Sequence, residues 1–129
     1  MKTVKPVVIL VIDDDDDIRS AVALCLKETD IHPTILTAPN ALMGLQLAKD
    51  NRPDVVVLDL QMPMGSGFDF ITELRLDAKL AKVKILILSG SATPDNIWES
   101  IDQGVDDFLA KPFDILELEA RVKLLLAKN

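Results

Sequence analysis

Val7-Val8-Ile9-Leu10-Val11-Ile12-Asp13-Asp14 places six apolar residues in a row, five of them β-branched, directly before two carboxylates. A strand without polar alternation is one covered on both faces, as in a parallel sheet. Val55-Val56-Val57-Leu58 and Ile85-Leu86-Ile87-Leu88 repeat the pattern, and Thr34-Ile35-Leu36-Thr37 and Phe108-Leu109-Ala110 give it more weakly. Helical periodicity fills the gaps between these runs. Ile18, Ala21, Val22 and Cys25 share one face, as do Ala41, Leu45 and Ala48, then Phe68, Ile71 and Leu74. Ile115, Leu118, Val122, Leu125 and Leu126 form a final stripe. Asn40 suits a helix cap, and Asp95 falls in the first turn of the helix expected after the fourth strand. Pro53, Pro63 and Pro112 lie in connections. Strand and helix alternate throughout. Right-handed crossovers then predict an α/β fold: an open, doubly wound, five-stranded parallel sheet with helices on both faces.

The 129 residues suffice for one domain with a real core, and an apolar fraction of 49% argues against disorder. A formal charge of −7 disfavours nucleic acid as a direct partner, because phosphate binding needs a basic face. A single cysteine excludes an internal disulfide and fits a reducing, cytoplasmic setting. The first apolar run is too short for a signal-peptide core or a membrane span, and no later run approaches spanning length.

In such a sheet, ligands meet the carboxyl ends of the strands. Asp13 and Asp14 follow the first strand, Asp59 the third, Ser89 the fourth and Lys111 the fifth. Three carboxylates, a hydroxyl and an ammonium thus face one crevice. Carboxylates about 5 Å apart repel by roughly 3 kcal/mol per pair at an effective dielectric near 20, so the cluster calls for a cation. Oxygen ligands without neighbouring Cys or His favour Mg²⁺ over zinc. A carboxylate can also act as a nucleophile and form an acyl phosphate. Lys111 would balance the added charge and Ser89 would donate to a phosphate oxygen.

Val11-Ile12-Asp13-Asp14, Leu58-Asp59-Leu60-Gln61-Met62-Pro63, Leu88-Ser89-Gly90 and Lys111-Pro112-Phe113 resemble the receiver domains of bacterial two-component response regulators. Asp14 and Asp59 are 45 positions apart, Asp59 and Ser89 30, and Asp59 and Lys111 52, spacings similar to that family's. Gly104-Val105-Asp106-Asp107-Phe108 is similar to its approach to the fifth strand. The resemblance covers nearly the whole chain and implies a single receiver domain over residues 1–129 with a flavodoxin-like fold. It implies that Asp59 takes a phosphoryl group from the phosphohistidine of a sensor kinase or histidine phosphotransfer protein. It also implies Mg²⁺ held by Asp13 (through water), Asp14, Asp59 and the backbone carbonyl of Gln61. Lys111 would pair with the phosphate. Ser89 and Phe108 match the switch positions, and Lys111-Pro112 resembles a bond that is cis in the family. Gly90 stands where Ala is more usual. The implied activity is self-directed phosphoryl transfer and autodephosphorylation, not enzymatic turnover of a separate substrate. The implied output surface combines the helix after Ser89, the fifth strand and the last helix. Asp102, Asp106 and Asp107 near Arg121 and Lys123 would permit a weak two-fold dimer there, although the basic set late in the last helix is reduced to Lys128.

Other residues read more plainly. One of Asp15, Asp16 and Asp17 caps the first helix and the others favour its positive end. Cys25 reads as a buried, inert thiol, His32 as the start of the second strand, Asp106 and Asp107 as solvated loop residues, and Trp98 as packing. Two other functions compete. A haloacid-dehalogenase-type phosphatase would use Asp13 as nucleophile, but would leave Asp59 and the Met62-Pro63 loop unexplained. A pseudo-receiver would only dock onto partners, and would not need the full acidic set and Lys111.

Overall fold

The computed structural model describes residues 6–60, 66–90 and 104–128. Within them the chain runs β1 (Val8–Ile12), α1 (Asp16–Lys27), β2 (Thr34–Ala38), α2 (Ala41–Asn51), β3 (Val55–Asp59), α3 (Ser66–Leu76), β4 (Lys84–Ser89), β5 (Asp107–Ala110) and α4 (Ile115–Ala127). Gln61, Met62, Pro63, Asp95, Trp98 and Asp102, and with them the helix expected after Ser89, lie outside the described residues.

The five strands form one sheet in the order β2-β1-β3-β4-β5, with every pair parallel. The chain winds first to one side of β1 and then to the other, so the order reverses between β1 and β3. Register is continuous across the centre: Ile12 lies beside Leu58, and Asp59 beside Leu88. The central strands are almost wholly buried, as unalternating runs require, whereas the edge strands β2 and β5 are partly exposed.

Alternate strand residues feed two cores. Leu10, Ile12, Val56, Leu58, Ile85 and Ile87 pack under α2 and α3. Ile9, Val11, Val55, Val57, Leu86 and Leu88 pack under α1 and α4. α4 contributes Leu118, Val122 and Leu125, all buried, each worth about 1.5–3 kcal/mol of burial. Asn40 caps α2 by accepting from Met43 N at 2.9 Å. Asp54 Oδ2 accepts from Val8 N at 2.8 Å and ties the start of β1 to the approach to β3.

Several local expectations need correction. Ile115 is 54% exposed, because it stands in the first turn of α4 at the rim of a cavity of about 420 Å³ shared with α1. Ala21 is exposed and Cys25 only half-buried beside the same cavity, so the apolar face of α1 is incompletely covered there. Burial and neighbouring Glu119 and Glu28 push the Cys25 thiol pKa up. His32 precedes β2 in a turn, with a left-handed φ of 50°. Phe70, unassigned by periodicity, is buried, while Phe68 is only partly so.

Asp106 and Asp107 are structural rather than merely solvated. Asp106 Oδ2 accepts from Ile85 N at 2.8 Å and pairs with Arg75 at 3.2 Å. Arg75 also donates to the carbonyls of Gly104, Ala81 and Val83, so one guanidinium joins the end of α3 to the approaches of β4 and β5. Asp107 pairs with Arg121 at 2.7 Å, and Lys123 pairs with Asp30 at 2.9 Å and Glu119 at 3.2 Å. The basic side chains offered above to a dimer are therefore engaged within the chain.

Candidate functional site

The acidic run divides its labour as soon as β1 ends. Asp13 is 1% exposed, and its N–H donates to Ala38 O at 3.2 Å, continuing the sheet one residue past the strand. Its Oδ1 accepts from Asp15 N at 2.9 Å. Asp14 is exposed at the mouth of the crevice. Asp15 is the cap, accepting from Asp17 N at 2.9 Å and Ile18 N at 3.1 Å. Asp16 and Asp17 lie in the first turn of α1, where the helix dipole favours them.

Asp59 ends β3 and is buried; the next residue, Leu60, donates its N–H to Leu88 O at 3.2 Å. Ser89 ends β4, fully buried, and its carbonyl accepts from Lys111 N at 2.8 Å. That bond carries Lys111 to the crevice. Its Nζ lies 3.4 Å from Asp13 Oδ2 and 3.5 Å from Asp59 Oδ2. The Lys111-Pro112 peptide is cis. Four strands thus bring Asp13, Asp14, Asp59, Ser89 and Lys111 to one end of the sheet, as their positions after the apolar runs implied. Gln61 is not described. Phe108 is half-buried, sits beside Ile87 in the register and packs against the core under α2 and α3.

One ammonium faces three carboxylates. Burial, and then the neighbouring Asp59, push the Asp13 pKa up against the pull of the Asp15 amide and Lys111. One carboxylate oxygen from each of Asp13, Asp14 and Asp59 lies within 4.8 Å of the other two. Among the described residues this is the one cluster of its kind. Excess negative charge, oxygen donors and close convergence fit a hard divalent cation.

Sequence reasoning missed Arg19. Its Nη1 donates to Asp13 O at 2.9 Å while Nη2 pairs with Asp16, which clamps the turn between β1 and α1. The Asp16–Arg19 spacing of one helical turn hinted at the ion pair, but nothing in the sequence pointed to the carbonyl.

The sequence profile of the response regulator receiver domain matches residues 9–123, and the chain belongs to that family. The transcriptional regulatory protein PrrA of Mycobacterium bovis is 37% identical over 121 residues, covering 94% of this chain and 50% of PrrA. The KDP operon transcriptional regulatory protein KdpE of Escherichia coli is 31% identical over 121 residues, covering 94% and 52% respectively. The chain therefore spans about half the length of these curated relatives. Chemotaxis protein CheY4 of Vibrio cholerae superposes with a TM-score of 0.87 at 27% identity, covering 94% of this chain and 99% of that one. The receiver domain of the Francisella response regulator 1452 gives 0.81 at 32% identity, covering 95% and 97%. These likenesses bear out the two-component receiver assignment and the doubly wound, flavodoxin-like fold. No helix among the described residues is long and apolar enough to cross a membrane.

Proposed function

We propose that Asp59 is the phosphoacceptor of this receiver, taking its phosphoryl group from a phosphohistidine on a sensor kinase or histidine phosphotransfer protein. The observation that carries this reading is the placement of Lys111 Nζ between the buried carboxylates of Asp13 and Asp59, at 3.4 and 3.5 Å. A carboxylate oxygen of Asp59 attacks phosphorus. The P–N bond breaks, and its electron pair stays on the imidazole nitrogen. Water later cleaves the acyl phosphate, releasing inorganic phosphate and restoring the carboxylate. The transfer is self-directed, and no separate substrate is turned over.

Asp13, Asp14 and Asp59 would hold Mg²⁺, with the Gln61 carbonyl as a further ligand. When bound, the ion neutralises the clustered carboxylates and the phosphoryl oxygens. Lys111 pairs with the incoming phosphate while staying anchored to β4 through Ser89 O. The Ser89 hydroxyl donates to a phosphate oxygen, drawing β4 inward. Phe108, on the neighbouring strand, then turns into the vacated space and alters the surface around β5 and α4, which an output partner or domain reads. A weak homodimer through the same face remains compatible with this role. Residues 1–129 act as one receiver domain in the cytoplasm, without direct contact to nucleic acid or membrane.

The phosphatase alternative makes Asp13 the nucleophile. That carboxylate has one oxygen taken by the Asp15 amide, which ties it to the turn into α1, and the other facing Lys111. A docking-only pseudo-receiver has no use for three convergent carboxylates. Titration with beryllofluoride and Mg²⁺, followed by NMR, tests the assignment. Shifts should centre on Asp59, Ser89 and Lys111 and spread to Phe108. Adduct formation at Asp13 would overturn it.

A further inference from the structure

The basic residues of this acidic chain are unevenly used. Among the described residues, Arg19, Arg75, Lys111, Arg121 and Lys123 all pair with carboxylates. Arg52, Lys79, Lys82, Lys84 and Lys128 appear in none of the ion pairs. These five line one cavity of about 370 Å³, at the end of the sheet opposite Asp59. Asp54 is the one acid lining it, and its Oδ2 is engaged by the Val8 amide. Val83 and Leu125, both buried, give the cavity an apolar floor.

Helix dipoles account for part of this arrangement. Arg52 and Lys128 cap the carboxyl ends of α2 and α4, where cations are favoured. Lys79 and Lys82 lie in the connection between α3 and β4, and Lys84 opens β4, so no helix end explains them. The acidic crevice does not neutralise the group either. β3 separates Asp54 from Asp59 by a strand length of about 17 Å, roughly two Debye lengths at physiological salt. Four ammonium groups and a guanidinium therefore surround a concave site with little local countercharge.

We propose that this cavity binds an oligophosphate anion. Lysines supply point charges to successive phosphates, and Arg52 offers a two-pronged donor to one of them. The apolar floor accommodates a non-phosphate body, such as the base and sugar of a nucleotide. The volume falls within the roughly 300–1,000 Å³ of small-molecule sites. This site is separate from the crevice at Asp59 and does not depend on its chemistry.

The test is an NMR titration of the isotope-labelled chain with sodium tripolyphosphate and, separately, with ATP, both in magnesium-free buffer. Each should give saturating amide shifts confined to residues 52–54, 79–84 and 125–128, weakened by added salt. Equal affinities would identify the phosphate chain as the whole ligand; tighter ATP binding would identify a nucleotide. Lys79→Gln/Lys82→Gln, both exposed positions, should weaken binding about tenfold. The control Lys27→Gln/Lys49→Gln removes two other lysines that appear in none of the ion pairs and do not line the cavity, and should leave binding unchanged. Shifts that fail to saturate, that centre elsewhere, or that weaken equally in both double variants would overturn the proposal.

Discussion

Lys111→Met removes the ammonium while keeping most of the stem that reaches the crevice. Asp13 and Asp59 are buried, and Lys111 Nζ lies 3.4 and 3.5 Å from them. At an effective dielectric of about 20, each attraction is worth about 5 kcal/mol, against at least about 3.5 kcal/mol of repulsion between carboxylate oxygens that lie within 4.8 Å of one another. Water entry and relaxation reduce these gross figures. Removing one partner of a buried ion pair costs about 3–5 kcal/mol in practice, so a loss near 3 kcal/mol is expected at neutral pH without metal. The pH dependence has a definite sign. The Asp13 pKa already lies above its ordinary 3.8 through burial and Asp59, and losing Lys111 raises it further. A raised carboxyl pKa favours the protonated folded state, so the deficit is full at neutral pH. It shrinks as pH falls through the raised pKa toward 3.8. Mg²⁺ should stabilise the variant more than the wild type, since it replaces the missing positive charge. Urea unfolding in chelator, in Mg²⁺ and across this pH range measures all three effects. A variant as stable as wild type in chelator at neutral pH, or a deficit that grows on acidification, would refute the reasoning.

Asp14→Ala should weaken Mg²⁺ binding far more than Asp17→Ala, because Asp14 belongs to the convergent cluster and Asp17 to the first turn of α1; a Mg²⁺ titration giving equal losses would remove Asp14 from the ligand set. Lys111→Ala should still accept phosphate but fail to transmit it; amide shifts around Phe108 matching those of the wild type on phosphorylation would exclude that role. Arg75→Ala should lower stability by about 2–3 kcal/mol in urea unfolding, because three carbonyls and Asp106 lose their shared partner.

The central strands were legible because Val55–Leu58 and Ile85–Leu88 are short, β-branched-rich runs without polar alternation, which fits strands buried on both faces. The site was legible for a related reason: chemistry-bearing residues follow directly where those runs stop. Side-chain engagement was not. Asp106 and Asp107 read as solvent residues because their partners, Arg75 and Arg121, are distant in sequence. Arg19's hold on the Asp13 carbonyl depends on a turn geometry that no periodicity encodes. Ile115 and Cys25 fit their helical stripes, yet they border a cavity, since a stripe gives direction but not depth of burial. The basic pocket escaped notice because Arg52, the run Lys79, Lys82 and Lys84, and Lys128 come from three separate segments that meet only in the fold.

The central claim is most directly tested by intact-mass analysis after incubation with acetyl phosphate and Mg²⁺. The wild-type chain should gain about 80 daltons, the mass of one phosphoryl group, and Asp59→Asn should gain nothing. An unmodified wild type, or an Asp59→Asn variant that still takes the added mass at Asp13, would contradict the account.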